Sequence, residues 1–174
     1  VDGKRLMPGE TAPPVPDEEV VPTIDPDRSR YALVIGNSDY GSIGMLRNPV
    51  NDAKLMTRTL ESLGFEVIEA INASQKKMKR AVRKFASLLE GDKSDTVGLF
   101  YYAGHGMSAS GVNYLIPVDA EIEREGDIAI ESVSASDILA SMEYARASVN
   151  FMILDACRNN PFGRGFRAVT RGLS

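Results

Sequence analysis

Apolar residues in this chain fall into short dense runs, separated by stretches in which they recur every third or fourth position. Tyr31 to Ile35, Phe65 to Ile71, Val97 to Ala103 and Val149 to Leu154 are runs rich in branched and aromatic side chains. Such runs suit strands buried on both faces of a parallel sheet. Between them, helical spacing predicts inner faces of Ala53, Met56, Leu60 and Leu63, then Met78, Ala81, Val82, Phe85 and Leu89, then Ile138, Leu139 and Met142. Asn48-Pro49 is a start signal for the first helix, with Asn as N-cap, and Gly64 closes it as a left-handed cap. Ser74 caps the second helix, and Ser134 with Asp137 resembles a capping box for the third. Tyr114 to Pro117 is a short strand or hairpin arm, and Asp119 to Ile130 an acidic loop. Alternating strands and helices imply the α/β class: a doubly wound, mainly parallel sheet of four main strands with right-handed crossovers.

Composition sets the boundaries of this unit. Residues 1–29 hold six of the nine prolines, with acids between them and few large apolar groups. That stretch cannot bury enough surface to offset its ordering entropy, and it is expected to be a linker or tail. One folded domain is expected over 30–162. An arginine- and glycine-rich segment follows at 163–174. No apolar stretch approaches a membrane span, so no membrane partner is expected; the compartment stays open. The net charge of −4 argues against a nucleic-acid surface. Lys76, Lys77, Lys79, Arg80, Arg83 and Lys84 crowd one helix without interleaved aromatics, the pattern of a solvated face.

The chain has one histidine and one cysteine, too few for a zinc site of Cys/His type. Each stands at the polar end of an apolar run: His105 after Tyr101-Tyr102-Ala103-Gly104, and Cys157 after Asp155-Ala156. Parallel neighbouring strands would bring both out at their carboxyl ends, where open α/β sheets carry their active sites. Their separation of 52 positions (157 − 105) suits one strand–loop–helix–strand passage. Alone, a free cysteine is usually an inert core thiol, and a histidine usually a structural one. Together they make a nucleophile and the base that activates it. Gly106 lets its backbone N–H approach a substrate carbonyl, and with the Cys157 N–H it would form an oxyanion hole.

Five blocks carry a resemblance: Ala32 to Asn37, Asn51-Asp52-Ala53, Tyr101 to Gly106, Ile116 to Asp119, and Asp155 to Arg158. In type and order they resemble the caspase-like cysteine peptidases, most closely the bacterial paracaspase and metacaspase branch, over about Tyr31 to Phe162. The resemblance implies a catalytic large-subunit domain, with the C-terminal strands of the family fold absent from this chain and supplied by a small-subunit portion. Unlike true caspases, the chain carries Asp155 two residues before the cysteine, and Asn159 where they have glycine. Paracaspases and metacaspases share that acid and cut after Arg or Lys. Asp155 is therefore expected to hold a basic P1 side chain, with Asp52 as a second S1 acid; Arg47 nearby would offset part of that charge. Asp52 is equally suited to an ordinary first-turn aspartate. Arg164, Arg167 and Arg171 stand where large and small portions join, as sites for self-processing. Metacaspases often bind calcium. Asp119, Glu121, Glu123, Glu125 and Asp127 follow no calcium-loop spacing, and no cofactor is expected.

Two other classes remain. A silent caspase-like scaffold would keep the fold and bind partners without turnover. A nucleotide-binding domain would use Gly36, Gly41 and Gly44, but these do not follow the G-x-G-x-x-G spacing and no Walker lysine accompanies them.

Overall fold

The computed structural model describes residues 28–41, 43–91 and 95–157. In chain order the elements are β1 (Arg30–Gly36), α1 (Pro49–Ser62), β2 (Glu66–Ile71), α2 (Gln75–Gly91), β3 (Val97–Ala109), β4 (Val112–Leu115), α3 (Glu125–Glu131), β5 (Val133–Ser134), α4 (Ala135–Tyr144) and β6 (Val149–Cys157). β2, β1, β3 and β6 lie side by side and parallel. This is the expected α/β sheet. β3 is longer than its apolar run, and its last residues turn antiparallel to β4, which pairs β5.

Strand alternation sorts the core into two layers. Leu33, Ile35, Phe100 and Tyr102 face α2 and α4, where Met78, Phe85, Leu89, Ile138 and Met142 are buried. Ala32, Val34, Leu99, Tyr101 and Ala103 face α1 through Ala53 and Leu60. Each large apolar side chain so buried contributes about 1.5–3 kcal/mol of transfer free energy. α1 packs on β1, β2 and β3, and β6 keeps one face open, with Phe151 50% and Ile153 41% exposed. A third cluster, around Tyr40, Met107, Ile116, Ile122 and Ile128, packs at the antiparallel β3–β4 end of the sheet.

Several local expectations need correction. The stretch expected to be an acidic loop contains α3, because Asp127 Oδ2 accepts the N–H groups of Glu123 and Arg124 and organises the first turn. Asn48 does not cap α1 with its side chain. Its carbonyl accepts the Asn51 and Asp52 N–H groups, and Ser38 Oγ takes that of Val50 at 3.2 Å. Leu63 and Leu139, expected on inner faces, are exposed. Gly64 does end α1 in the left-handed region, with φ +79°, while Ser74 and Ser134 accept the N–H groups of Lys77 and Asp137.

Candidate active site

The β3–β6 register runs from Val97 opposite Val149 to His105 opposite Cys157. The chain's single histidine and single cysteine are therefore Cα partners on adjacent strands, at the last position of β6 and the last parallel-paired position of β3. Neighbouring strands lie about 4.8 Å apart. The sheet brings the two residues together as their positions in the apolar runs predict.

The His105 imidazole is buried, with 6% of the residue exposed. Its Nε2 lies 3.4 Å from the Gly44 carbonyl. A carbonyl only accepts, so Nε2 carries the proton and Nδ1 holds the lone pair. Nδ1 is buried and has no hydrogen-bond partner among the described residues. Burial holds the imidazole below its ordinary value, partly offset by the Gly44 carbonyl. At neutral pH the ring is a neutral base. Gly44 sits at φ +93° in open space, so it is the backbone turn aiming that carbonyl, not lack of room, that favours glycine.

The two glycines around His105 serve different ends. A Cβ on Gly104 would come within 2.5 Å of the Tyr40 hydroxyl and 2.6 Å of the Tyr102 hydroxyl. Those hydroxyls bind the His105 backbone: Tyr40 accepts its N–H at 2.9 Å and Tyr102 donates to its carbonyl at 2.7 Å. Gly106 is placed by the ladder. The Ala103 carbonyl accepts the Asn37 N–H, and the His105 carbonyl accepts the Ile116 N–H. Odd-numbered residues here thus turn their backbone groups toward β1 and β4. Alternation turns the Gly106 N–H the other way, to the edge along which β6 runs.

Asp52, Leu55, Met56 and Thr59 of α1 line one pocket of about 300 Å³ with Tyr101 of β3 and Asp155 of β6. The two acids singled out in the sequence, 103 positions apart (155 − 52), share this pocket. Tyr101 donates to Asp155 Oδ2 at 3.4 Å. Burial, and then the charges of Asp155 and Asp52, push its phenol up to about 12. Arg47 does not line the pocket, and among the described residues no ion pair joins it to either acid. Two larger cavities lie away from these residues, one at the α2–α4 end beside Glu90 and Tyr144 and one between α2, α4 and β4.

Two of the five acids of the 119–127 stretch are engaged with backbone. Asp119 Oδ1 accepts the Gln75 N–H at the start of α2, and Asp127 caps α3. Among the described residues no three acids, histidines or cysteines gather as a metal site. Arg164, Arg167 and Arg171 lie outside the described residues. Sequence reasoning missed Tyr40, Gly44 and Tyr101. The histidine contacts of Tyr40 and Gly44 span 65 and 61 positions respectively, and Tyr101 is hidden inside an apolar run.

A model of the caspase domain matches residues 29–171. The chain belongs to the caspase family, and so to a family of peptidases. It is 31% identical over 144 residues to human mucosa-associated lymphoid tissue lymphoma translocation protein 1, covering 82% of this chain and 17% of that protein. The mouse homologue is 31% identical over 131 residues, covering 75% of this chain and 15% of that protein. Metacaspase-2 of Trypanosoma brucei brucei is 33% identical over 91 residues, covering 47% of this chain and 26% of that protein. The chain thus spans only a minor part of the curated relatives it matches.

Proposed function

We propose that this chain carries the catalytic centre of a cysteine endopeptidase that cleaves after arginine or lysine. One observation carries the reading: His105 and Cys157 are register partners, and the imidazole is bonded at Nε2 but, among the described residues, unpaired at Nδ1. His105 Nδ1 takes the thiol proton, and the sulfur forms a bond to the scissile carbonyl carbon. The negative oxygen of the tetrahedral intermediate is met by the Gly106 and Cys157 N–H groups. The C–N bond then breaks as His105 returns its proton to the leaving amine. Water, deprotonated by the same nitrogen, hydrolyses the thioester.

Asp155 and Asp52 select the P1 residue. A cationic side chain entering the α1–β3–β6 pocket meets two carboxylates and, among the described lining residues, no competing cation. A guanidinium suits a carboxylate in bidentate fashion, and an ammonium binds as a point charge. An acidic P1 residue is repelled. The exposed Phe151 and Ile153 face of β6 suits a small-subunit portion that extends the sheet and covers it. Self-processing after Arg164, Arg167 or Arg171, with Arg171-Gly172 the foremost site, would separate the two portions.

The test compares fluorogenic peptides with P1 Arg, Lys and Asp. Turnover of the first two, abolished in Cys157→Ala and His105→Ala, is expected, together with labelling of Cys157 by an arginyl chloromethyl ketone. Mass spectrometry should find cleavage after an arginine of the 164–171 stretch, lost in Cys157→Ala. A well-folded protein that neither cleaves nor is labelled is the silent scaffold instead, which the same open β6 face would serve.

A further inference from the structure

β3 changes partners at the candidate base. On one edge its parallel pairing with β1 ends at Ala103, opposite Gly36, and antiparallel pairing with β4 begins at Gly106, opposite Leu115. His105 lies in the gap. An uninterrupted ladder would send its N–H to the Ile116 carbonyl, reciprocating the bond by which the His105 carbonyl accepts the Ile116 N–H at 3.0 Å. A tyrosine interrupts that exchange. The Tyr40 hydroxyl accepts the His105 N–H at 2.9 Å and donates to the Ile116 carbonyl at 3.2 Å. It is a bridge inserted between two strands.

The same side chain meets the histidine a second time. The Tyr40 ring lies 4.6 Å from the imidazole, tilted by 55°. Tyr40 is itself buried among Met107, Ile116 and Ile128, so its ring is a fixed wall. Gly44, whose carbonyl meets Nε2, follows four positions later. One short segment therefore touches the imidazole ring, its Nε2, and the backbone that carries it. Rotation of the imidazole by half a turn about its Cβ–Cγ bond would exchange nitrogen and carbon positions on both sides of the ring and lose the Gly44 contact.

We propose that Tyr40 is a positioning residue for His105: its hydroxyl sets the His105 backbone apart from β4, and its ring holds the imidazole with Nε2 on Gly44 and Nδ1 free. The proposal rests on His105 being the peptidase base, but ring orientation is measurable without turnover. Gly104 is the counterpart that makes it possible, because any Cβ there strikes the Tyr40 and Tyr102 hydroxyls.

His105 is the single histidine of the chain, so its ring nitrogens are identified in a ¹⁵N NMR spectrum without assignment. Above the imidazole titration, the 174-residue chain should show the Nε2–H tautomer in clear excess. Tyr40→Phe keeps the ring and removes the bridge. It should erode that excess and lower kcat at least tenfold on a P1 Arg peptide, with KM changed less than twofold. An excess of the Nδ1–H form in the unaltered chain overturns the proposal, as does a Tyr40→Phe protein with the original tautomer ratio and kcat. If Tyr40→Phe does not fold, fluorotyrosine at position 40 perturbs mainly the hydroxyl. It must shift the His105 amide and Nε2 signals, and no shift overturns the proposal. Cleavage with a tautomer indifferent to Tyr40 refutes the positioning role alone. A tautomer that depends on Tyr40 in a chain that never cleaves refutes the peptidase reading alone.

Discussion

Tyr101 and Asp155 meet across the β3–β6 boundary, the phenol donating to Asp155 Oδ2 at 3.4 Å. With its phenol pushed up to about 12, Tyr101 stays a neutral donor at neutral pH and well above it. It steadies one oxygen of an exposed carboxylate and leaves the other unclaimed by it. Asp52, on α1, faces the same pocket. The result is an acidic pocket at the strand ends, near the His105–Cys157 register pair.

Replacing these acids should separate P1 recognition from the chemistry. Hydrogen bonds to charged groups are worth about 1.5–3 kcal/mol, or roughly 10- to 100-fold. Asp155→Asn should lower kcat/KM on a P1 Arg peptide within that span. Asp52→Asn should lower it less, by about 2- to 5-fold, the span of a charge pair open to solvent. Reaction of Cys157 with a small neutral alkylating agent should hardly change in either variant. An Asp155→Asn protein that keeps its preference for Arg over Gln at P1 would remove Asp155 from the pocket's function.

The imidazole gives a pH prediction. Burial lowers the folded-state value of His105 below 6.5. Between the lowered value and 6.5, the unfolded chain binds the proton and the folded chain does not. This site therefore costs stability as the pH falls below 6.5, and the full cost is reached below the folded value. Above 6.5 it costs nothing. NMR titration of Cys157→Ala, which removes coupling to the thiol, should place the His105 midpoint below 6.5. A midpoint at or above 6.5 would mean that the ring is more solvated than the structure indicates.

Asn37 supports the site from below and is buried. Its Oδ1 accepts the Ala73 N–H at 2.8 Å, and its Nδ2 donates to the Ile116 carbonyl at 3.2 Å. The Ile116 carbonyl also receives the Tyr40 hydroxyl, so it tolerates losing one donor. The Ala73 N–H loses its side-chain acceptor. Asn37→Ala should therefore cost about 2–4 kcal/mol, the sum of a stranded buried donor and a small void. The urea midpoint should fall with the slope unchanged.

How much of this was legible in the residues follows from how local each signal is. The four parallel strands and three of the helices announce themselves through apolar runs and helical spacing, because each buries its own face against the sheet. α3 does not: over its seven residues only Ile128 is buried, too short a span for a period to show. His105 and Cys157 were legible because each stands at the polar end of such a run and nothing else in the chain competes with it. Asp155 and Asp52 were marked by resemblance, and their common pocket required the fold. Tyr40 lies in a glycine-containing polar loop and reaches His105 across 65 positions. Nothing in a one-dimensional pattern encodes a contact made by the packing of a loop over the strand ends.

Gly36 links the fold to the proposed P1 pocket. A Cβ there would lie 2.5 Å from the Ala53 Cβ and 2.7 Å from the Pro49 carbonyl oxygen. Neither neighbour is the far end of a flexible side chain, so α1 itself must move. Gly36→Ala should cost about 1–3 kcal/mol as an overpacked contact, read as a lower thermal midpoint. α1 also carries Asp52, so the shift should weaken discrimination between P1 Arg and P1 Gln while alkylation of Cys157 by a small reagent continues. Adding Ala53→Gly removes one of the two obstructions and leaves the carbonyl. The double variant should therefore recover part of the Arg preference and not all of it. Full loss of Cys157 alkylation in a folded Gly36→Ala protein would instead show that the α1–β1 contact governs the nucleophile, not the pocket beside it.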